Sequence, residues 1–244
     1  MLEADVLILA GGLGTRLSGL LSDLPKILAP IEGRPFLDYL LIWLKGQGVV
    51  RVILGLGHKA EPVRAYLAAH TLPGLEVIPA VEPQPLGTAG AVGFAFPNLQ
   101  SDPVMVMNGD TVVEANLGAF IASHRNCGAT ASVLCARVQD PGRYGRLEID
   151  AADRIMRFDE KNAAASAPSW VNAGVYLFSR TMLEGIAKLE RGSLERDVLE
   201  RMPPGSIHAF QTEGRFLDIG TPESLAQAPA FFEQRELAGK ASCR

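Results

Sequence analysis

The sequence predicts an α/β fold: a mixed and mainly parallel sheet flanked by helices, with an antiparallel excursion in the second half. Three observations carry this. Apolar runs of strand length alternate with amphipathic helical stretches through the first half of the chain, the pattern of βα units and a parallel sheet. The first run ends in Gly11-Gly12-Leu13-Gly14, which sets a loop capable of tight turns and close backbone approach at a strand's carboxyl end. Beyond Val138 the rhythm changes to two short runs around a turn, the signature of a hairpin.

In chain order, Asp5–Ala10 is nearly unbroken apolar and reads as a fully buried parallel strand. Pro35–Gln47 reads as a helix, with proline in its first turn and Gly48 at its end. Its apolar positions, Phe36, Leu37, Leu40, Leu41 and Leu44, cover a wide face suited to packing on a sheet. Val50–Leu56 is a second strand, Glu61–His70 a second helix and Leu75–Val81 a third strand, completing βαβαβ with right-handed crossovers. A loop from Glu82 opens a helical segment running to Phe96, and Val104–Met107 is a fourth strand that ends in Asn108-Gly109-Asp110. Asn116–Asn126 reads as helix and Thr130–Val138 as a long strand. The hairpin follows, with Tyr144–Asp150 and Ile155–Phe158 about a turn at 151–153. Val171–Phe178 is a strand, Met182–Glu190 and Leu194–Arg201 are helices, Ser206–Thr212 and Phe216–Ile219 are short strands, and a closing helix starts at Pro222.

Composition sets bounds. The chain has 244 residues, 48% hydrophobic and 20% charged, which is globular and long enough for a substantial core. A net charge of −4 gives no electrostatic basis for nucleic-acid binding. Any phosphate must be met by a few local cations. Cys127, Cys135 and Cys243 lack metal-ligand spacing, and the first two are expected to be buried, inert thiols. The acidic start lacks a signal peptide's basic region and no run reaches membrane-span length, so a cytoplasmic protein without membrane association is expected. The four histidines match no ligand or triad spacing, and no Gly-X-Ser-X-Gly elbow is present, so nucleophilic protein catalysis is unsupported.

The glycine loop admits three readings. A dinucleotide fingerprint requires a small residue where Leu17 stands, and a P-loop requires Lys-Ser or Lys-Thr directly after the last glycine. The third is a loop that wraps a nucleotide's phosphates, with Arg16 and Lys26 reaching in beside it. Asp110, at the end of a buried strand and freed by Gly109, is placed to hold Mg²⁺, which takes one or two carboxylates plus substrate phosphates. Asp218 in Phe216-Leu217-Asp218-Ile219-Gly220-Thr221-Pro222 repeats the device. In the loop Pro85–Gly90, Gln84 at its edge both donates and accepts hydrogen bonds, which suits a base's Watson–Crick edge.

The string Leu9-Ala10-Gly11-Gly12-Leu13-Gly14-Thr15-Arg16-Leu17, followed by Pro25-Lys26, resembles the signature of the sugar-1-phosphate nucleotidyltransferases. The Leu86-Gly87-Thr88-Ala89-Gly90 form of the second loop is similar to that of guanylyltransferases acting on mannose- or heptose-type sugars. The resemblance implies a Rossmann-like core with a sugar-binding half beside it: residues 1–126 nucleotide-binding, 127–221 sugar-phosphate-binding and 222–244 a C-terminal helix, in one domain. It implies nucleotide contacts from Leu9, Ala10, Gly11, Gly12, Gly14, Thr15, Gln84, Gly87, Thr88, Asn108 and Gly109. It implies Mg²⁺ on Asp110 and Asp218, and sugar-phosphate contacts from Gly145, Glu160, Lys161 and Asn172. Ser193 and Glu195 match a further family segment, but capping of the next helix accounts for both.

The implied reaction joins a sugar 1-phosphate to a nucleoside triphosphate and releases pyrophosphate. Arg16 holds the leaving phosphates and Lys26 neutralises charge at the α-phosphate. GTP with D-glycero-D-manno-heptose 1-phosphate is the first expectation and mannose 1-phosphate the second. Uridylyl or cytidylyl transfer to another sugar or choline phosphate, and a catalytically silent sugar-nucleotide sensor, are the alternatives. A monomer or small homo-oligomer is expected, because no stretch remains for an appended β-helix.

Overall fold

The computed structural model describes residues 2–12, 14–21, 24–142, 144–159 and 167–241. The chain opens with β1 (Val6–Leu9), a short 3₁₀ turn at Thr15–Leu17 running into α1 (Ser18–Leu21), and a second 3₁₀ turn at Lys26–Leu28. A two-residue ladder, β2 (Pro30–Ile31) with β3 (Arg34–Pro35), leads into α2 (Phe36–Gly46). Then come β4 (Arg51–Leu56), α3 (Ala60–Ala69), β5 (Glu76–Val81), α4 (Gly87–Ala95), β6 (Val104–Asn108), β7 (Thr111–Val113) and α5 (Leu117–Cys127). The second half holds β8 (Ala131–Val138), β9 (Arg146–Ile149), β10 (Arg154–Asp159), β11 (Ser169–Phe178) and α6 (Arg180–Ile186). It closes with β12 (Ile207–Thr212), β13 (Phe216–Asp218) and α7 (Pro222–Ala241).

Nine strands form one sheet in the order β5-β4-β1-β6-β11-β8-β12-β10-β9. The first four are mutually parallel. β11 then runs antiparallel between β6 and β8, and β9 and β10 form the antiparallel hairpin. Side chains alternate across β1 as a pleated strand requires. Val6 and Ile8 join one hydrophobic cluster with α2, α5 and α7, and Leu7 joins the other with α4 and α6. Both faces are thus covered, which explains why the N-terminal strands read as unbroken apolar runs. In α2 the residues Phe36, Leu37, Leu40, Leu41 and Leu44 are buried as their spacing predicts, and Gly48 at φ +88° ends the segment.

The strand Thr111–Val113 was not legible in the sequence, being three residues long and directly after a turn. It pairs with β13 outside the main sheet, aligning Asp218 with Thr111, and Ile219 N–H donates to the Asp110 carbonyl. That small ladder brings two acids distant in sequence to one corner. The stretch 194–201, expected as a regular helix, is a π-helical turn at Leu194–Val198 followed by a 3₁₀ turn at Leu199–Arg201. Ser193 caps the turn by accepting from Arg196 N–H. Cys135 is buried and its thiol is pushed up by desolvation, but Cys127 is exposed at the end of α5, where Gly128 at φ +64° turns the chain outward. Among the described residues no helix is long and apolar enough to cross a membrane.

Candidate active site

At the carboxyl ends of β1, β5 and β6 the strand-to-loop turns converge around a cavity of about 370 Å³. Leu9, Ala10, Gly11, Gly12 and Gly14 form one wall, Gly87 and Thr88 another, and Asn108, Gly109 and Asp110 the floor. Close backbone approach is what the glycines supply. A Cβ on Gly109 would stand 2.8 Å from the Leu9 carbonyl oxygen, to which Gly109 N–H donates. Gly87 sits at φ +74°, and a Cβ there would stand 2.4 Å from the Gly192 carbonyl oxygen.

A second cavity of about 660 Å³ lies beside the first, between the hairpin, β11 and the π turn. Tyr144, Phe158 and Phe216 give it an apolar wall, with the Tyr144 and Phe216 rings in edge contact at 5.3 Å. Asn172, Asp159, Glu195 and Glu200 give it a polar one, and Arg16 and Arg196 are its cations among the described residues. The ladder between β11 and β8 shifts register between Asn172 and Tyr176, and Gly174 there adopts φ +70°. Such a bulge re-aims side chains. A Cβ on Gly174 would stand 2.6 Å from Asn108 Nδ2, so this close approach also requires glycine.

The two cavities share Asn108, Asp110 and Glu195. At their junction Lys26 Nζ lies 2.5 Å from Asp110 Oδ2 and 3.9 Å from Asp218 Oδ1. Gly220 N–H donates to Asp218 Oδ1 at 2.6 Å and fixes that carboxylate. Both acids therefore face one cationic centre, an all-oxygen pair of the kind Mg²⁺ takes alongside substrate phosphates. Arg16 is exposed and lines the second cavity and the corner formed with Gly14, Lys26, Asp110, Asp218 and Gly220.

Most of the residues singled out by sequence are gathered here. Leu9, Ala10, Gly11, Gly12, Gly14, Lys26, Gly87, Thr88, Asn108, Gly109 and Asp110 line the first cavity. Arg16, Gly145, Asn172 and Asp218 line the second. Thr15 lies in the 3₁₀ turn that follows the glycine loop. Glu160 and Lys161 fall outside the described residues. Gln84 is exposed and is not on the wall of the first cavity; Glu82, two residues upstream, is. The chain leaves β5 at Val81 with Glu82 N–H bonded back to Leu56; the Glu82 side chain lines the cavity, Pro83 and Gln84 are exposed outside it, and Pro85 returns to its wall. Gly11 and Gly57 make room for the Glu82 carboxylate: a Cβ on Gly57 would stand 2.5 Å from Glu82 Oε1. Burial pushes the Glu82 carboxyl up from its ordinary value, partly offset by the Leu86 backbone N–H.

Glu195 is the second residue that sequence reasoning passed over. Capping, assigned to it from its spacing, is performed by Ser193 together with Asp197, whose carboxylate accepts from Ser193 N–H; the Glu195 carboxylate instead faces both cavities. The family segment around Ser193 was the available signal, and a helix-cap reading absorbed it.

A family model described as nucleotidyl transferase matches residues 5–235. A D-glycero-alpha-D-manno-heptose 1-phosphate guanylyltransferase of Aneurinibacillus thermoaerophilus is 32% identical, over 92% of this chain and 96% of its own. A mannose-1-phosphate guanylyltransferase of Mycobacterium tuberculosis is also 32% identical, over 93% of this chain but 64% of its own. Among solved structures, HddC from Yersinia pseudotuberculosis superposes with a TM-score of 0.85 at 35% identity, covering 94% of this chain and 99% of that one. The same protein complexed with GMP-PN superposes equally well.

Proposed function

We propose, from the premise that the chain belongs to the nucleotidyl transferase family, that it joins GTP to a sugar 1-phosphate of the manno-heptose type. The products are a guanosine-diphosphate sugar and pyrophosphate. The observation that carries this reading is the pair of cavities meeting at Asp110, with Lys26, Arg16 and Asp218 around the junction. One cavity is walled by glycine backbone and suits a nucleotide. The other combines aromatic faces with carboxylates and an amide, which suits the C–H face and hydroxyls of a sugar.

A phosphate oxygen of the sugar 1-phosphate attacks the α-phosphorus of the triphosphate. The new P–O bond forms as the bond to the β-phosphate oxygen breaks, and pyrophosphate leaves. The nucleophile is already an anion, so the barrier lies in bringing two anions into line, and positioning with charge stabilisation supplies the catalysis. Lys26 neutralises charge at the α-phosphate, and Arg16 holds the departing phosphates beside the Gly11–Gly14 backbone. A Mg²⁺ held by Asp110 and Asp218 supplies further neutralisation of phosphate charge when bound. Lys161 and Glu160 are assigned to the sugar phosphate and the sugar hydroxyls on the family resemblance, together with Gly145 and Asn172.

Selection of guanine falls to Glu82. A carboxylate offers only acceptors, which match the N1–H and N2 amino donors of guanine. Uracil and thymine offer a single N3–H donor flanked by carbonyl acceptors, so one carboxylate oxygen would face a carbonyl and be repelled. The heptose relatives, matched over nearly their whole length, favour a manno-heptose over mannose as the sugar. Pyrophosphate release measured for four nucleoside triphosphates crossed with a panel of sugar 1-phosphates tests the reading. Release with GTP and D-glycero-α-D-manno-heptose 1-phosphate above all other pairs is expected; no release with any pair would leave a sugar-nucleotide-binding protein without turnover.

A further inference from the structure

Glu195 stands where the two cavities meet and receives hydroxyl groups from three separate segments. Tyr176 Oη, on β11, donates to Glu195 Oε1 at 3.1 Å. Ser193 Oγ donates to Oε2 at 3.1 Å, and Thr88 Oγ1, on α4, faces the same oxygen at 3.4 Å. Each hydroxyl has a second task. Thr88 Oγ1 accepts from Leu194 N–H at 2.7 Å, and Tyr176 Oη accepts from Asn172 Nδ2 at 3.0 Å. Asn172 Oδ1 in turn accepts from Gly174 N–H at the bulge of β11.

The backbone around Glu195 is stitched to the nucleotide-side loop as well. Ala89 N–H donates to the Gly192 carbonyl and Gly192 N–H to the Leu86 carbonyl, both at 2.9 Å. The close approach of Gly87 to Gly192 leaves no room for independent movement there. A continuous path of hydrogen bonds therefore runs from Thr88, on the wall of the first cavity, through Glu195 and the fully buried Tyr176, to Asn172 on the wall of the second. Removing one member of such a path leaves buried polar groups unsatisfied on both sides of it.

We infer that Glu195 is a positioning residue that couples the two half-sites, holding Thr88 and the Tyr176–Asn172 pair in register so that each substrate's site depends on the other's. This rests on the two-substrate reading proposed above. A residue with a local structural role lowers stability or affects the nearest substrate. A coupling residue transmits the effect of a change on one wall to the substrate on the other.

The test is cross-talk in steady-state kinetics with GTP and D-glycero-α-D-manno-heptose 1-phosphate. Thr88→Val, on the nucleotide side, raises the KM for the sugar phosphate, and Tyr176→Phe, on the sugar side, raises the KM for GTP, each by about 5-fold, the effect of one net hydrogen bond. In a Glu195→Gln background, where one acceptor oxygen becomes an amide donor, neither substitution adds to the other substrate's KM. Should each variant change only its own substrate's KM, the inference is overturned. The single variants decide this even if Glu195→Gln fails to fold. Absence of turnover in the unsubstituted protein would instead overturn the two-substrate reading itself.

Discussion

The two cavities are built from different materials. The nucleotide cavity sits on four parallel strands, and its walls are mostly backbone: Gly11, Gly12, Gly14, Gly87 and Gly109, of which Gly87 and Gly109 are pressed against a neighbouring carbonyl. The sugar-side cavity sits on the antiparallel part, and its walls are side chains held by one another, from Asn172 and Tyr176 to Glu195. A backbone-built site fixes residue identity by steric exclusion, because only glycine fits. A side-chain-built site fixes it by mutual hydrogen bonding, which other networks can replace. On the proposed reading the first kind serves a constant group, the triphosphate. The second can be rebuilt for a different sugar.

The largest effect should come from the junction that serves both cavities. Lys26→Ala removes the ammonium lying between Asp110 and Asp218. Its kcat is expected to fall by ~10²–10³, the range for one lost electrostatic contact to the transition state. The KM values for both substrates should move much less. A large rise in one KM with kcat preserved would assign Lys26 to one cavity alone.

This division also decided what could be read from sequence. The parallel half was legible nearly to the residue. Buried strands between helices leave unbroken apolar runs, and a Gly-rich turn at a strand end leaves a recognisable string. Asp110 and Asp218 were legible because each stands at the end of an apolar strand close to a glycine, Gly109 before Asp110 and Gly220 after Asp218. What brings them together, the three-residue strand Thr111–Val113, was not, since so short a pairing carries no periodicity. Gln84 was singled out because an amide suits a base edge, whereas which side chain of this loop reaches the cavity depends on how the chain turns after Val81, a tertiary fact. Glu195 was read as a helix cap because local spacing explained it, and its partners Thr88 and Tyr176 lie far away along the chain and close in space.

A base-selection experiment sharpens the contrast within the nucleotide cavity, where Glu82 is a side chain among backbone walls. Glu82→Gln presents a donor beside an acceptor in place of two acceptors. The ratio of kcat/KM for GTP over UTP is expected to fall by about 10- to 100-fold, the effect of a mispaired buried polar group. Unchanged selectivity would move base recognition to the loop backbone and make this cavity wholly backbone-read. On the sugar side, Arg196 is exposed at the cavity wall, and its backbone N–H serves the Ser193 cap whatever its side chain. Arg196→Ala is expected to raise the KM for the sugar phosphate about 10-fold, as for one charge-assisted hydrogen bond, and to leave the KM for GTP in place. An equal rise for both substrates would show that its charge serves the whole site.

The smallest effect concerns the scaffold and separates the halves by pH. His124 is buried beneath β8, its Nδ1 2.7 Å from Ser132 Oγ, whereas His58 and His70 in the parallel half are exposed. Desolvation, with a smaller contribution from nearby His208, holds the His124 pKa below the ordinary 6.5; Asp102 opposes this and Arg125 adds to it. The unfolded chain therefore takes up a proton before the folded one does. Stability from this group is complete above 6.5 and is lost as pH falls below that value towards the folded-state pKa. Between about pH 7.5 and pH 5.5 the unsubstituted protein should lose more Tm than His124→Gln. Amide exchange at the lower pH should rise in β8 and its partner β11 before it rises in β1 and β4. Equal loosening of all four strands would mean that acid acts on the sheet as a unit, and the two halves would then share one stability while differing in how their sites are made.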